Sequence, residues 1–218
     1  MKINEFKDVI INLPVERQSI TTIRSNKKWE RAENKFCWLR DFNSLHFGNN
    51  LQITISREDL FNINGNLREL ILKTIYWGYP KGMPGINNFI GILQNITDIE
   101  SALSNTLMIP NPQTSDFIQI ANAFTVVNGL GLSTYSKLLY FLNIQFNGCP
   151  SLILDRRIIQ VFSNEIFEDY LDFININYDN AKNYYIRYLE RTNKIAEQLN
   201  TQGENIEMFL FIFGNNLK

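Results

Sequence analysis

The sequence predicts a mainly α-helical protein. Three observations carry this. Apolar residues recur every three or four positions through most of the chain. Gly, Pro and Asn clusters interrupt those stretches at the spacing of short helices. Only residues 51–55, LQITI, alternate in the manner of a strand.

Composition sets the frame. The 218 residues are 44% hydrophobic and 20% charged, a globular balance that argues against disorder, collagen-like repeats and coiled coil. The length allows one large domain or two small ones. No run approaches the roughly 18 apolar residues of a membrane span. Glu5, Lys7 and Asp8 occupy the place where a signal peptide is apolar, so a cytoplasmic protein is expected. Cys37, Cys149 and the single His46 are too few for a four-thiolate metal site, and a disulfide scaffold is improbable at this size. No metal or redox cofactor is expected. The net charge of −1 argues against a broad basic surface and leaves room for a local basic patch.

The elements follow in order. Ile3, Phe6, Val9, Ile10 and Leu13 give a helix over 1–13 that Pro14 stops. Residues 15–26 read as a polar connector. Trp29, Ala32, Phe36 and Leu39 share one face of a single helix over 27–42, with Lys27, Lys28 and Lys35 solvated. Residues 51–55 are a short strand or an extended piece. Ser56 then caps a helix whose first turn is acidic. Leu67, Leu70, Ile71 and Ile75 give a helix over 66–78. It runs into a Gly/Pro-rich loop, 76–85, which carries Trp77, Tyr79 and Lys81. Helices at 85–95 and 97–104 come next, and Pro110 and Pro112 mark a break. Thr114 or Ser115 caps a helix to about Val127. Asn128-Gly129-Leu130-Gly131 is a tight turn, and Ser133 or Thr134 caps the helix after it. Asp155 opens a helix to about Phe162. A long helix covers 178–200, and a last one covers 204–213 with Gly214 as its C-cap.

The segment 124–162 carries the chemistry. It runs helix, Gly-Leu-Gly turn, helix, loop, then Asp155 at a helix start, with Lys137 eighteen residues before Asp155. The glycines let a backbone approach a phosphate closely, and the amides of the following helix suit that anion. Arg156 and Arg157 add phosphate contacts. Taken singly, each feature reads better as a turn, a solvated charge or a cap than as part of a site.

In this order and spacing the segment resembles the helix-hairpin-helix DNA glycosylases, and most closely the compact 8-oxoguanine glycosylases of archaea and bacteria. The likeness is carried by 113–163, with weaker support from 66–95 and the C-terminal helix and none over 1–60. The turn lacks the proline of many family hairpins, and Lys137 lies six residues past Gly131 rather than close to the turn. A register slip of one would put Ser136 in its place, as in a binding-only relative.

The resemblance implies two helical subdomains with the hairpin and Asp155 at the cleft between them. It implies one unit over 1–218: an N-terminal helical and extended part (1–65), a hairpin-containing core (66–163) and C-terminal helices (164–218). It also implies a bifunctional glycosylase and lyase, a monomer on damaged or modified duplex DNA. Lys137 is then the nucleophile at C1′ and Asp155 its assistant. Gly129, Gly131, Ser133, Arg156, Arg157 and Lys81 meet the DNA, and Trp77 and Tyr79 line the base pocket. The family's C-terminal pattern of aromatic helix, Gly and terminal Lys makes Phe209 the stacking residue and the Lys218 carboxylate the reader of the base. An oxidised purine is the substrate by resemblance, and a modified viral base is equally compatible. The rivals are a noncatalytic DNA-binding scaffold and an interaction protein that ignores DNA.

Overall fold

The computed structural model describes residues 1–24 and 27–217. A 3-10 turn, Ile3–Phe6, runs into α1 (Lys7–Ile11). Residues 15–26 are not a mere connector. Ser19–Ile23 form β1, antiparallel to β2 (Gln52–Ser56). The β-branched run Ile20-Thr21-Thr22-Ile23 suits a strand once a partner exists, and that partner lies some thirty residues away in sequence. The Thr22 hydroxyl, fully buried, donates to the Tyr76 carbonyl at 2.7 Å and pins the ribbon to the helix beneath.

The single helix expected over 27–42 is two, α2 (Lys27–Lys35) and α3 (Cys37–Phe47). Phe36 is extended between them, and the two helices contact one another; Trp29, Ala32, Leu39 and Phe47 are buried, with Trp29 against the Tyr76 and Phe89 rings and Phe47 against Tyr76. The Ser56 cap of α4 (Arg57–Phe61) is as expected: Asp59 N–H donates to Ser56 Oγ at 3.0 Å, and the Asp59 carboxylate accepts from the Ser56 amide.

α5 (Leu67–Gly78) is central. Ile71, Leu72, Ile75 and Tyr76 are fully buried, and the helix absorbs the first three residues of the expected loop. α6 (Ile86–Gln94) and α7 (Ile96–Leu107) lead to α8 (Thr114–Thr125). The cap of α8 is Gln113, whose amide donates to Asp116, rather than Thr114 or Ser115. After the turn comes α9 (Leu132–Phe141), with Gly131, not Ser133 or Thr134, at the N-cap. A small ribbon of β3 (Gln145–Phe146) and β4 (Cys149–Pro150) precedes α10 (Arg156–Ser163), which Asp155 caps as expected. A 3-10 stretch, Glu168–Phe173, leads to α11 (Ala181–Leu199) and α12 (Gly203–Phe213).

Gly214 is the C-cap of α12 as expected, with a right-handed φ of −52°. A Cβ there would lie 2.5 Å from Val161, so the glycine serves the close packing of α12 on α10. No helix among the described residues is long and apolar enough to cross a membrane.

Candidate active site

The hairpin turn is held against α6 by backbone proximity. Gly129 has φ +89°, and a Cβ on it would lie 2.4 Å from the Asn88 carbonyl. On the other side, a Cβ on Gly91 would lie 2.6 Å from the Asn128 carbonyl. Both positions admit only glycine, and they fix where α9 begins.

Lys137 sits in the second turn of α9 with its side chain 5% exposed. Its Nζ donates to the Ser133 carbonyl at 2.6 Å and to the Ser133 hydroxyl at 3.1 Å. Gly78, at the end of α5, leaves room for its stem: a Cβ there would lie 3.4 Å from Cδ and Cε. Ser136 is the wrong register for chemistry. Its hydroxyl is buried and accepts from the Leu154 amide at 3.2 Å, which ties α9 to the segment before Asp155.

Asp155 uses one oxygen, Oδ1, for both capping bonds, from the Arg157 amide at 2.9 Å and the Ile158 amide at 3.2 Å. Lys137 and Asp155 line the same cavity, of about 350 Å³. Ser133, Trp77, Tyr79, Arg156 and Arg157 line it too. The structure thus brings together most of the residues singled out in the sequence. Tyr79 is fixed by a 2.9 Å bond between its hydroxyl and that of Thr134. Trp77 is almost wholly buried and packs edge-on against Phe141.

Phe209 is not at the cavity. It is 1% exposed and packs among Phe6, Phe167 and Phe213 in the core, because the face of α12 that carries it meets the N-terminal helix. Phe211 lines the cavity instead, with the Arg157 guanidinium 4.9 Å from its ring centre. Lys81 is exposed on its loop and does not line the cavity. Lys218 lies outside the described residues.

The back of the cavity was not foreseen. Arg57 and Glu207, each 1% exposed, form an ion pair there at 2.8 Å. Arg57 Nε donates to Gln18 Oε1 at 2.6 Å, and Nη1 also donates to the Tyr140 hydroxyl at 2.9 Å. Tyr140 in turn donates to Glu204 at 2.7 Å. The guanidinium lies against the Trp77 and Tyr140 rings. Burial pushes the Glu207 carboxyl up, against the pull of Arg57. Burial pushes the Tyr140 phenol up as well, so that it stays a donor to Glu204. Two charges taken out of water are costly unless their hydrogen bonds are met, and this pair is extensively bonded. Two atoms facing this region keep capacity. Among the described residues the Gln18 amide nitrogen has no partner, and Glu207 accepts only from Arg57.

The fold is thus mainly helical, with a lysine and an aspartate at one cavity beside a glycine hairpin. The family model described as "Putative 8-oxoguanine DNA glycosylase OGG-like protein" matches residues 13–211, and the chain belongs to that family. The match extends well beyond the 113–163 segment into the N-terminal part, where the motif reading found no likeness. No curated protein and no solved structure matches the chain.

Proposed function

We propose that the protein is a DNA glycosylase with lyase capacity that extrudes a damaged base, of the 8-oxoguanine kind, into the cavity lined by Lys137 and Asp155. The observation that carries this reading is the meeting of those two side chains at one cavity beside the hairpin. The family membership supports it independently.

A lysine amine attacks only in its neutral form. As the N-glycosidic bond lengthens, Asp155 is negative and lowers the energy of the developing oxocarbenium ion. Lys137 leaves Ser133, gives a proton to Asp155 and forms a bond from Nζ to C1′, while the electron pair of the breaking bond leaves with the base, which takes a proton from solvent. Opening of the sugar leaves a Schiff base on Nζ, from which β-elimination cleaves the strand. Trp77 and Phe211 supply aromatic walls for the extruded base, and Gln18 and Glu207 supply a donor and an acceptor for its edge. Gly129, Gly131, Ser133, Arg156 and Arg157 hold the phosphates on either side.

Borohydride trapping tests the reading. Oligonucleotides carrying 8-oxoguanine, uracil or an abasic site are offered to wild type, Lys137→Ala and Asp155→Ala. A covalent adduct is expected with wild type on 8-oxoguanine and on the abasic site, and none with Lys137→Ala. An adduct that survives Lys137→Ala would remove Lys137 from the mechanism. No adduct and no release of any base would leave the chain a noncatalytic member of its family.

A further inference from the structure

A second cavity, of about 720 Å³, opens beside the first. The two share Tyr79, Ser133 and Arg156, so one begins at the mouth of the other. Its apolar floor is Ile159 and Ile176, both buried. Arg156 is the only charged residue among those that line it, and Gln160, Ser163 and Asn177 add neutral polar groups. Its most prominent feature is the Tyr178 ring, half exposed.

Tyr178 is held, although it lies in a loop. The Asn177 amide donates to Asn180 Oδ1 at 2.8 Å, and the Asn180 amide donates back to Asn177 Oδ1 at 3.1 Å. The Asp179 amide also donates to Asn177 Oδ1, at 3.0 Å, and Asn180 Nδ2 donates to the Asn175 carbonyl at 2.9 Å. These bonds bracket Tyr178 on both sides and preset its backbone. The hydroxyl end reaches the hairpin, where a Cβ on Gly131 would lie only 2.6 Å from it. An exposed aromatic face, an arginine and a helix start therefore sit together one step from the cavity that holds Lys137. The nearest carboxylate in sequence, Asp179, is exposed and does not line the groove.

We infer that this groove takes the nucleotide next in the strand to the extruded one, with its base stacked on Tyr178 and its phosphate at Ser133 and Arg156. This rests on the glycosylase reading above. Stacking on an aromatic ring is tolerant of base identity, because every base offers a π face. The protein therefore unstacks two neighbouring nucleotides rather than one, and single-stranded or locally opened DNA is a better ligand than intact duplex.

A double-substitution cycle tests this with the full chain. The probe is an oligonucleotide with a tetrahydrofuran abasic analogue at the target position, single-stranded or duplex. In companion probes the base on the 5′ or the 3′ side is also removed. Wild type, Tyr178→Leu and Tyr178→Phe are compared. Removal of one flanking base is expected to weaken wild type and Tyr178→Phe by about tenfold, and to leave Tyr178→Leu within about twofold. An equal loss in wild type and Tyr178→Leu at both flanks would overturn the inference while the glycosylase reading stands. Failure of wild type to bind the analogue at all would overturn both. Unchanged thermal melting of Tyr178→Leu ensures that a loss in binding is not a loss of fold.

Discussion

The mouth and the back of the cavity that holds Lys137 and Asp155 are built in opposite ways. At the mouth the hydrogen bonds of Lys137 and Asp155 are local. Lys137 bonds to Ser133, one helical turn before it, and Asp155 bonds to the two amides that follow the first residue of its helix. At the back every key contact is distant. Arg57 meets Gln18 across 39 residues, Tyr140 across 83 and Glu207 across 150. The bonds that hold these two side chains are therefore set within the hairpin and the capped helix themselves. The back exists only when the N-terminal part, the hairpin core and the last helix have all assembled.

The largest expected effect tests that dependence. Arg57→Met alone strands a buried carboxylate, and Glu207→Leu alone strands a buried guanidinium. Each should cost about 3–5 kcal/mol of stability, while the double substitution should recover most of it. Urea unfolding measures all three. Equal losses in the singles and the double would mean that shape rather than charge holds the back together.

At the mouth the corresponding experiment separates charge from capping. Asp155→Asn keeps a good cap and removes the negative charge. Base release should fall by roughly 10²-fold or more, the usual range for an acid–base group, with stability changed by less than about 1 kcal/mol. A variant that lost stability and activity in proportion would reduce Asp155 to a cap.

A pH titration gives the next, smaller effect. Burial lowers the pKa of His46 from 6.5 to about 4, Lys73 adds to the lowering, and Glu69 opposes it. The folded protein therefore resists a proton that the unfolded chain takes up below pH 6.5. Stability is full above that pH and falls progressively as the pH drops toward 4. His46 stacks on Phe42 and Tyr76, and Tyr76 precedes the cavity residue Trp77. The slope should be absent in His46→Phe, measured by thermal melting across that window. Its persistence would assign the acid sensitivity to the carboxylates.

The same contrast explains what could be read from the sequence. Lys137, Asp155, Ser133 and both arginines lie within 25 residues, where helix caps, a glycine turn and helical periodicity fix the arrangement. Trp77 and Tyr79 were legible because aromatics in a Gly/Pro-rich segment call for a reason. Gln18 and Arg57 carry no local mark. Gln18 stands in a polar stretch, and Arg57 is one of several charges at a helix start. Only the pairing of β1 with β2 brings that helix to the cavity, and strand pairing across a long connection leaves no periodic signal. Phe209 and Phe211 show the limit of matching by position. Alignment on Gly214 picks Phe209, a ring that the packing of α12 on the N-terminal segment places in the core rather than at the cavity. Phe36 shows the limit of periodicity, since an apolar spacing that fits one long helix also fits two that pack together.

The smallest effect is the sharpest probe of the mouth. Gly78 lies at the end of a helix with an ordinary φ, so alanine there should raise stability by roughly 0.5–1 kcal/mol through its better helix propensity. The added methyl would lie 3.4 Å from Cδ and Cε of Lys137, at the inner edge of ordinary van der Waals contact, and would narrow the space in which the stem can move. A nucleophile so restricted reaches C1′ less readily, because attack depends steeply on alignment. Gly78→Ala should therefore unfold at a higher urea concentration while borohydride trapping slows by a few fold. That opposition of sign separates the two contributions of the residue. A stabler protein that traps as fast as wild type would show that Lys137 moves freely before attack, and that its position on Ser133 is a resting place rather than the reactive geometry.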